Sequence, residues 1–172
     1  MKAKLPDSPV QQLNAPDAFN INTKIVADED VYIPKYSTDG SAAVDLVGNI
    51  PPDHAGNRVV TLPHRATAVI DCGFSMELPP GFKANVSARS GLASRGLIVT
   101  NGPGIIDSDY RGRVKVIVTN VGKEIIVLNH LDRIAQMTIE PVYLFQWESV
   151  DALSETERGE GGLGSTGVAV NG

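Results

Sequence analysis

The chain has 172 residues, 42% of them hydrophobic and 20% charged, and this composition predicts a single soluble domain with a hydrophobic core. The net charge of −5 predicts no general attraction for nucleic acid, so an anionic ligand would have to be held by local arginines. Cys72 is the only cysteine, which excludes an internal disulfide.

The sequence shows neither a signal peptide nor an apolar run long enough to span a membrane. We therefore expect a cytoplasmic protein that does not enter a membrane.

Residues 1–20 are polar and proline-rich, and we expect them to form a flexible N-terminal extension. Between residues 21 and 147 the hydrophobic pattern has a period of two, which is typical of strands separated by Gly and Pro turns. The single helix candidate covers residues 90–94. The predicted strands are residues 21–27, 42–47, 58–62, 67–71, 74–78, 82–88, 97–100, 113–120, 124–128, 133–141 and 142–147. Many short strands predict an all-β barrel, sandwich or jelly roll.

Two of the predicted strands carry apolar side chains that need to be covered, by the core or by another surface. In residues 113–120 three valines form one apolar face while Ile117 lies on the other, which predicts that a second surface is covered, for instance by another subunit. Tyr143, Phe145 and Trp147 alternate along the last predicted strand, and we interpret them as core or interface packing.

Residues 148–172 lose the strand pattern, become acidic and end in a glycine-rich run. Such a run is typical of a flexible linker. It could also be an arm that orders on an anion, since Arg158 supplies charge, Ser165 and Thr166 supply hydroxyls, and glycines expose backbone N–H groups. It is not a Walker loop, because no Gly-Lys-Ser/Thr follows the glycines.

Two further segments have both an ordinary and a chemical interpretation. Arg89 and Ser90 stand where a strand ends and a helical turn begins, which indicates either an anion site or a helix N-cap with a surface arginine. Asp107 follows Ile105 and Ile106 in a turn, so its surroundings are locally apolar. It could act as a general base, or the segment could be a plain surface hairpin.

Five segments, taken in order, resemble the five motifs of the homotrimeric dUTPase (dUTP diphosphatase) family. They read Ser-Ala-Ala-Val-Asp-Leu at 41–46, Ala-Arg-Ser-Gly-Leu-Ala-Ser at 88–94, Asn-Gly-Pro-Gly-Ile-Ile-Asp-Ser-Asp-Tyr-Arg-Gly at 101–112, Asp-Arg-Ile-Ala-Gln-Met at 132–137 and Arg-Gly-Glu-Gly-Gly-Leu-Gly-Ser-Thr-Gly at 158–167. Each motif is short, but five in order form a specific signal that covers most of the chain.

The resemblance implies an all-β, distorted β-barrel of jelly-roll type with one short helix and a flexible glycine-rich C-terminal arm. Residues 21–147 would form the core, and residues 148–172 the arm that closes over a neighbouring active site. It also implies a homotrimer whose sites draw on all three subunits. The reaction would be Mg²⁺-assisted hydrolysis of dUTP to dUMP and pyrophosphate, which keeps uracil out of DNA and supplies dUMP for thymidylate synthesis.

The resemblance assigns the nucleoside half of the site to the third motif. Asp107 matches the carboxylate that orients and deprotonates the attacking water. Tyr110 matches the residue beneath the deoxyribose, whose ring leaves no room for a 2′-hydroxyl. Asn101 matches a group that reads uracil, together with the backbone of Gly104, Ile105 and Ile106. Lys115 aligns with a further substrate contact.

The phosphate half comes from other motifs. Arg89, Ser90 and Gly91 match the phosphate cradle, with Ser90 near the bridging oxygen of the leaving group. Gln136 matches another phosphate contact, and Asp45 matches a carboxylate that reaches the magnesium shell through water. The arm contributes Arg158, Leu163, Gly164, Ser165 and Thr166. Leu163 stands where many family members have an aromatic ring that stacks on uracil.

Two rival functions can be weighed on the same residues. Deoxycytidine triphosphate deaminases share this fold, but they carry a second serine where this chain has Gly91 and a catalytic glutamate near Ile117. An isoleucine cannot shuttle protons, so the sequence disfavours deamination. A signalling role through the N-terminal extension is the other alternative, against the interpretation of that segment as a disordered tail.

Overall fold

The structure is a computed structural model that describes residues 21–162, and these fold into ten strands and one short helix. The predicted all-β class is confirmed. The bounds are β1 Lys24–Ala27, β2 Val44–Val47, β3 Val59–Leu62, β4 Thr67–Glu77, β5 Phe82–Ser87, α1 Ser90–Ala93, β6 Leu97–Val99, β7 Gly104–Ile106, β8 Arg113–Asn120, β9 Ile126–Asn129 and β10 Arg133–Pro141.

Some predictions concern residues beyond this range. The N-terminal extension lies outside the described residues, as do four predicted arm contacts, Leu163, Gly164, Ser165 and Thr166. Within residues 21–162, no helix is long and apolar enough to cross a membrane.

The strands form three antiparallel sheets. The first sheet has the order β1-β4-β8-β6, the second sheet has the order β2-β10-β5-β7, and β3 pairs with β9 in a two-stranded ribbon. In the second sheet β5 is central, because it pairs with β10 along one edge and with β7 along the other. This pairing positions the segments in which the candidate site residues lie.

The core follows from strict alternation along the strands. On β8, Val114, Val116 and Val118 are buried, as the period-two pattern predicts. They join one continuous hydrophobic cluster with residues of the other strands, among them Leu46 and Phe74. Each buried aliphatic or aromatic side chain of this size stabilises the fold by roughly 1.5–3 kcal/mol relative to exposure.

A glycine inside β4 joins two predicted strands into one. Gly73 has φ of 84°, and a Cβ there would lie 2.0 Å from a side-chain carbon of Val31. Its N–H donates to Asp71 Oδ1 at 2.6 Å. The register against β8 shifts between Asp71 and Ser75, so the glycine forms a β-bulge. The prediction of a strand break here was wrong because a glycine bulge bends a strand without ending it.

β7 is a second place where a strand was missed. Residues 104–106 were expected to form part of a tight turn, but they pair with β5 and form a short strand. The turn follows directly, at residues 107–110, where Tyr110 N–H donates to Asp107 O at 3.2 Å. Three residues are too few for a recognisable period-two pattern, and neighbouring Gly and Pro residues concealed the strand.

The last predicted strand, residues 142–147, is not a strand. Its aromatic side chains are exposed, at 87% for Tyr143, 73% for Phe145 and 90% for Trp147, so their assignment to the core of this chain was wrong. Phe145 and Trp147 contact one another edge to face, with centroids 5.1 Å apart. Their alternative role in a subunit interface stays a prediction, as does a covered outer face at Ile117.

Asn120 is the buried polar side chain at the end of β8, with no exposed surface. Its amide nitrogen donates to Leu62 O and Glu124 O, both at 2.8 Å, and its amide oxygen accepts from Gly122 N–H at 2.9 Å. Each side of the amide is therefore matched to its partners. These hydrogen bonds connect β8 with β3 and with the loop that leads to β9.

Replacing Asn120 with aspartate should destabilise the protein by about 3 kcal/mol or more at neutral pH, because a buried carboxylate would face two carbonyl oxygens. Burial would raise the pKa of this aspartate in the folded state. The deficit relative to the parent should therefore be smallest near the unfolded pKa of about 4 and grow as the pH rises. Urea unfolding at fixed protein concentration measures both effects, and an equal loss at acidic and neutral pH would contradict this account.

Candidate active site

An open pocket of ≈ 190 Å³ lies where β7 ends and β8 begins. Five of the predicted site residues, Ile105, Ile106, Asp107, Tyr110 and Lys115, share its wall. The lining consists of Ile105, Ile106, Asp107, Tyr110, Arg113, Val114 and Lys115. We call this feature the β7 pocket.

Asp107 directly follows β7, so the pairing of β7 with β5 fixes the backbone that carries the carboxylate. The side chain is exposed in a single chain, as is that of Ile105 at 58%. The expected apolar surroundings are therefore only partly present: Ile105, Ile106 and Val114 line the pocket, but its mouth is open. Ligand or another chain would have to supply the remaining enclosure.

Tyr110 is positioned by its C-terminal neighbours. Its hydroxyl donates to Arg113 O at 3.1 Å. A Cβ on Gly112 would lie 2.3 Å from the hydroxyl oxygen, so the ring occupies the space that only a glycine leaves. The ring remains 45% exposed, which leaves a face on which a flat or cyclic ligand can pack.

The backbone of β7 is the second recognition element. Within residues 21–162 this strand pairs with β5 alone, so its other edge can offer N–H and C=O groups to a ligand. The Asn101 side chain lies close to the start of this strand, because a Cβ on Gly104 would be 3.2 Å from its side-chain nitrogen. An edge of alternating donors and acceptors suits a planar polar group such as a nucleobase.

A second set of predicted residues lies at the other side of the second sheet. Asp45 on β2 is directly opposite Gln136 on β10, and Gln136 is opposite Ser87 on β5, so the three side chains share one face. Asp45 Oδ1 binds Arg89 Nε at 2.8 Å, and Gln136 Nε2 donates to Ala88 O at 3.2 Å. We call Asp45, Arg89, Arg133 and Gln136 the anion cradle.

Arg133 was missed by the sequence reasoning. Its Nη1 lies 3.3 Å from Asp45 Oδ2, and its backbone oxygen accepts from Arg89 Nη1 at 3.1 Å. In a regular strand Arg133 and Gln136 would face opposite sides, because their spacing is odd. A register shift between Arg133 and Ala135 changes that relation. No pattern in the sequence marks this irregularity.

The short helix α1 starts beside the cradle. Its N-cap is Arg89, so the predicted helix start at this position is present, but no side chain caps it. Ser90 and Gly91 are exposed in its first turn. The first N–H groups of a helix have no intrahelical partner, so they add donors next to the arginine pair.

The β7 pocket and the anion cradle are separated within one chain. The pocket lies at the β7 edge of the second sheet, whereas the cradle runs from Asp45 on β2 through Gln136 on β10 to Arg89 just after β5. Arg158 does not line the pocket, and its Nε donates to Gly161 O at 2.8 Å within its own segment. One chain therefore brings the predicted residues together as two groups rather than one.

The dUTPase family model matches residues 29–167 of the chain. Among curated proteins, the deoxyuridine 5'-triphosphate nucleotidohydrolase of Orientia tsutsugamushi strain Ikeda is 47% identical over 137 residues, which cover 79% of this chain and 88% of the relative. The enzyme of the same name from Roseobacter denitrificans is 45% identical over 142 residues, covering 82% and 90%.

Solved structures show the same fold. The Staphylococcus bacteriophage 80alpha dUTPase with dUPNHPP superposes with a TM-score of 0.69 at 23% identity, over 86% of this chain and 99% of that one. The native EIAV dUTPase superposes with a TM-score of 0.62 at 25% identity, over 78% and 100%. The likeness confirms the predicted distorted β-barrel of jelly-roll type.

The cradle generates a direct binding prediction. Arg89→Met should weaken the binding of inorganic pyrophosphate at least ~10-fold, since a charge-assisted contact with a phosphate is lost. Arg65→Met is the matched control: this exposed arginine lies outside the cradle, and its replacement should leave the affinity unchanged. Isothermal titration at constant salt measures both, and equal affinities for the two variants would contradict the assignment.

Proposed function

The chain belongs to the dUTPase family, and on that premise we propose that it hydrolyses dUTP to dUMP and pyrophosphate at sites shared between subunits. The β7 pocket is the observation that carries the proposal: a carboxylate, a glycine-positioned tyrosine and a free backbone edge converge there. The cradle supplies the complementary binding of phosphate. In the cell, this reaction would keep uracil out of DNA and provide dUMP for thymidylate synthesis.

Nucleoside recognition would use the edge of β7. The backbone of Gly104, Ile105 and Ile106, with the Asn101 amide, would pair with the polar edge of uracil as a base does. Tyr110 would lie beneath the deoxyribose. A 2′-hydroxyl would meet the phenol ring, whose position is fixed by Gly112 and by the hydrogen bond to Arg113 O.

Asp107 would orient a water molecule and take its proton as the water attacks the α-phosphorus. The pocket then needs no covalent intermediate, because positioning and a general base suffice for in-line displacement. Lys115 shares the pocket wall and would contribute a positive charge close to the substrate.

The triphosphate carries about four negative charges, so charge neutralisation is the main requirement of the cradle. Arg89 and Arg133 would turn from Asp45 to phosphate oxygens, with Ser90 near the bridging oxygen of the leaving pyrophosphate. Gln136 and the backbone of Gly91 would add neutral donors. Together these groups stabilise charge that builds on the leaving group.

Magnesium fits this site as an ion held mainly by substrate. Among residues 21–162, no group of three His, Cys, Asp or Glu side chains could hold a metal on its own. Asp45 offers one carboxylate, which would contact the ion through water, while hard phosphate oxygens and waters would complete its shell. When bound, the ion would neutralise phosphate charge.

The separation of pocket and cradle supports a homotrimeric arrangement. If the pocket of one subunit faces the cradle of a second, the two groups meet without any change within either chain. The arm of the third subunit would close the site. Arg158, Ser165 and Thr166 would contact the phosphates, and Leu163 and Gly164 would cover the base. Closure would exclude water from the triphosphate.

Asp107→Asn should lower turnover of dUTP at least ~100-fold and leave nucleotide binding nearly intact, because the amide keeps the shape but cannot accept a proton. Pyrophosphate release from dUTP, with dCTP and UTP as comparison substrates, measures activity and selectivity together. A variant that kept a tenth of the parental turnover would require a different base.

Gly112→Ala should narrow the dUTP/UTP ratio of kcat/KM about tenfold or more, because the added methyl displaces the Tyr110 ring from its place. Gly40→Ala is a suitable control, since its Cβ would meet nothing within 4 Å, its φ is not in the left-handed region, and it does not line the β7 pocket. Steady-state kinetics with dUTP and with UTP measure this ratio for each variant. An unchanged ratio in Gly112→Ala would mean that the sugar is read elsewhere.

A further inference from the structure

Arg113 is one of two cationic residues in the wall of the β7 pocket, and two carboxylates hold its guanidinium. Nη1 and Nη2 donate to the two oxygens of Asp28 at 2.6 and 2.5 Å. Nε donates to both oxygens of Asp71 at 3.2 and 3.1 Å, and Nη2 donates to Asp71 Oδ1 at 3.0 Å. We call these three residues the Arg113 clamp.

The clamp removes this arginine from competition for phosphate. The hydrogen bonds that Arg113 donates to Asp28, and next those to Asp71, raise the pKa of Arg113, and the same hydrogen bond lowers the pKa of Asp28. Two carboxylates and one guanidinium leave a net charge of −1. A triphosphate would therefore gain little from approaching Arg113, and the role of this residue must be sought in the structure around it.

The clamp coincides with the bulge in β4. Asp71 is opposite Lys115, but Ser75 is opposite Arg113, so four steps along β4 match two along β8. The regular ladder is interrupted at the point where β8 enters the pocket wall. Bulges of this kind often re-aim a side chain beside a functional site.

Both aspartates of the clamp are hydrogen-bonded to the bulge, Asp71 through its carboxylate and Asp28 through its backbone. Gly73 N–H donates to Asp71 Oδ1 at 2.6 Å, and Gly73 O accepts from Asp28 N–H at 3.0 Å. The guanidinium thus connects the end of β1, the bulge of β4 and the first residue of β8. Side-chain hydrogen bonds take the place of the missing ladder bonds.

The backbone of Arg113 contributes to the β7 pocket by positioning Tyr110. Its carbonyl oxygen accepts the Tyr110 hydroxyl at 3.1 Å. A shift of Arg113 would therefore move the acceptor that positions the phenol ring. Displacements of about 1 Å in a positioning group can cost up to ~100-fold in rate, so small shifts are sufficient to be measured.

We propose that the Arg113 clamp is a positioning device that sets Tyr110 and thereby sharpens the preference for a deoxyribose over a ribose triphosphate. The inference rests on the proposed function, because it requires that Tyr110 read the sugar. Arg113, Asp28 and Asp71 act through Tyr110 and not on the substrate.

The test uses Arg113→Lys and Asp28→Asn in the full chain. Lysine keeps the charge but cannot bridge both carboxylates as the planar guanidinium does. Arg113→Lys should narrow the dUTP/UTP ratio of kcat/KM at least about fivefold, mainly through a higher KM for dUTP. Asp28→Asn keeps one acceptor oxygen and should give a smaller narrowing in the same direction.

Lys24→Gln is the matched control. It removes an ion pair between β1 and β4, Lys24 to Glu77 at 2.8 Å, that lies on the same two strands and outside the pocket. The control should keep the parental ratio even if its Tm falls. If the clamp variants lose Tm but keep the parental dUTP/UTP ratio, the clamp is only structural and the proposal is overturned.

Amide hydrogen exchange of residues 107–113 separates this proposal from the proposed function, because it needs no turnover. Faster exchange at Tyr110 in Arg113→Lys and Asp28→Asn, but not in Lys24→Gln, supports the positioning role independently of catalysis. Parental exchange in all three variants overturns it. Absence of dUTP hydrolysis in the parent protein would instead refute the proposed function.

Discussion

The pairing of β5 with β10 on one edge and β7 on the other is the constraint on which the rest of the site depends. It carries Asp107 to one margin of the second sheet and aligns Ser87, Gln136 and Asp45 in a row that leads to the other. The pocket and the cradle are therefore two distinct groups within one chain, and sheet order determines that division.

Charge balance distinguishes the two arginine arrangements. In the cradle, Arg89 and Arg133 share the single carboxylate of Asp45, so the group carries a net positive charge that phosphate can use. In the clamp, Arg113 is shared by Asp28 and Asp71, and the group is net negative. The same ion pair chemistry therefore gives a binding site in one place and a structural connection in the other.

The sequence predicted correctly the strands that have a long, regular alternation of apolar and polar residues. The bounds of β8 and β10 agree with the predicted strands, since long alternating runs have few other solutions. The pocket residues Asp107 and Tyr110 were also predicted from the motif at 101–112, and Lys115 from its alignment with a family substrate contact just after that motif.

The failures have physical reasons. The bulge at Gly73 and the register shift after Arg133 are set by long-range pairing, and local composition does not encode them. Arg113 and Arg133 were missed because their importance depends on carboxylates far away in the sequence. Tyr143, Phe145 and Trp147 were assigned to core or interface packing from their alternation, but residues 142–147 form no strand and the three side chains are exposed in the single chain.

Subunit complementation tests the central claim that pocket and cradle come from different chains. Asp107→Asn and Arg89→Met, each nearly inactive alone, would be denatured together in equal amounts and refolded as mixed oligomers. If each site takes its pocket from one chain and its cradle from another, about a quarter of the sites in random mixtures combine two intact halves. The account predicts recovery of about that fraction of parental dUTP turnover. Mixed oligomers that remain as inactive as the separate variants would contradict it.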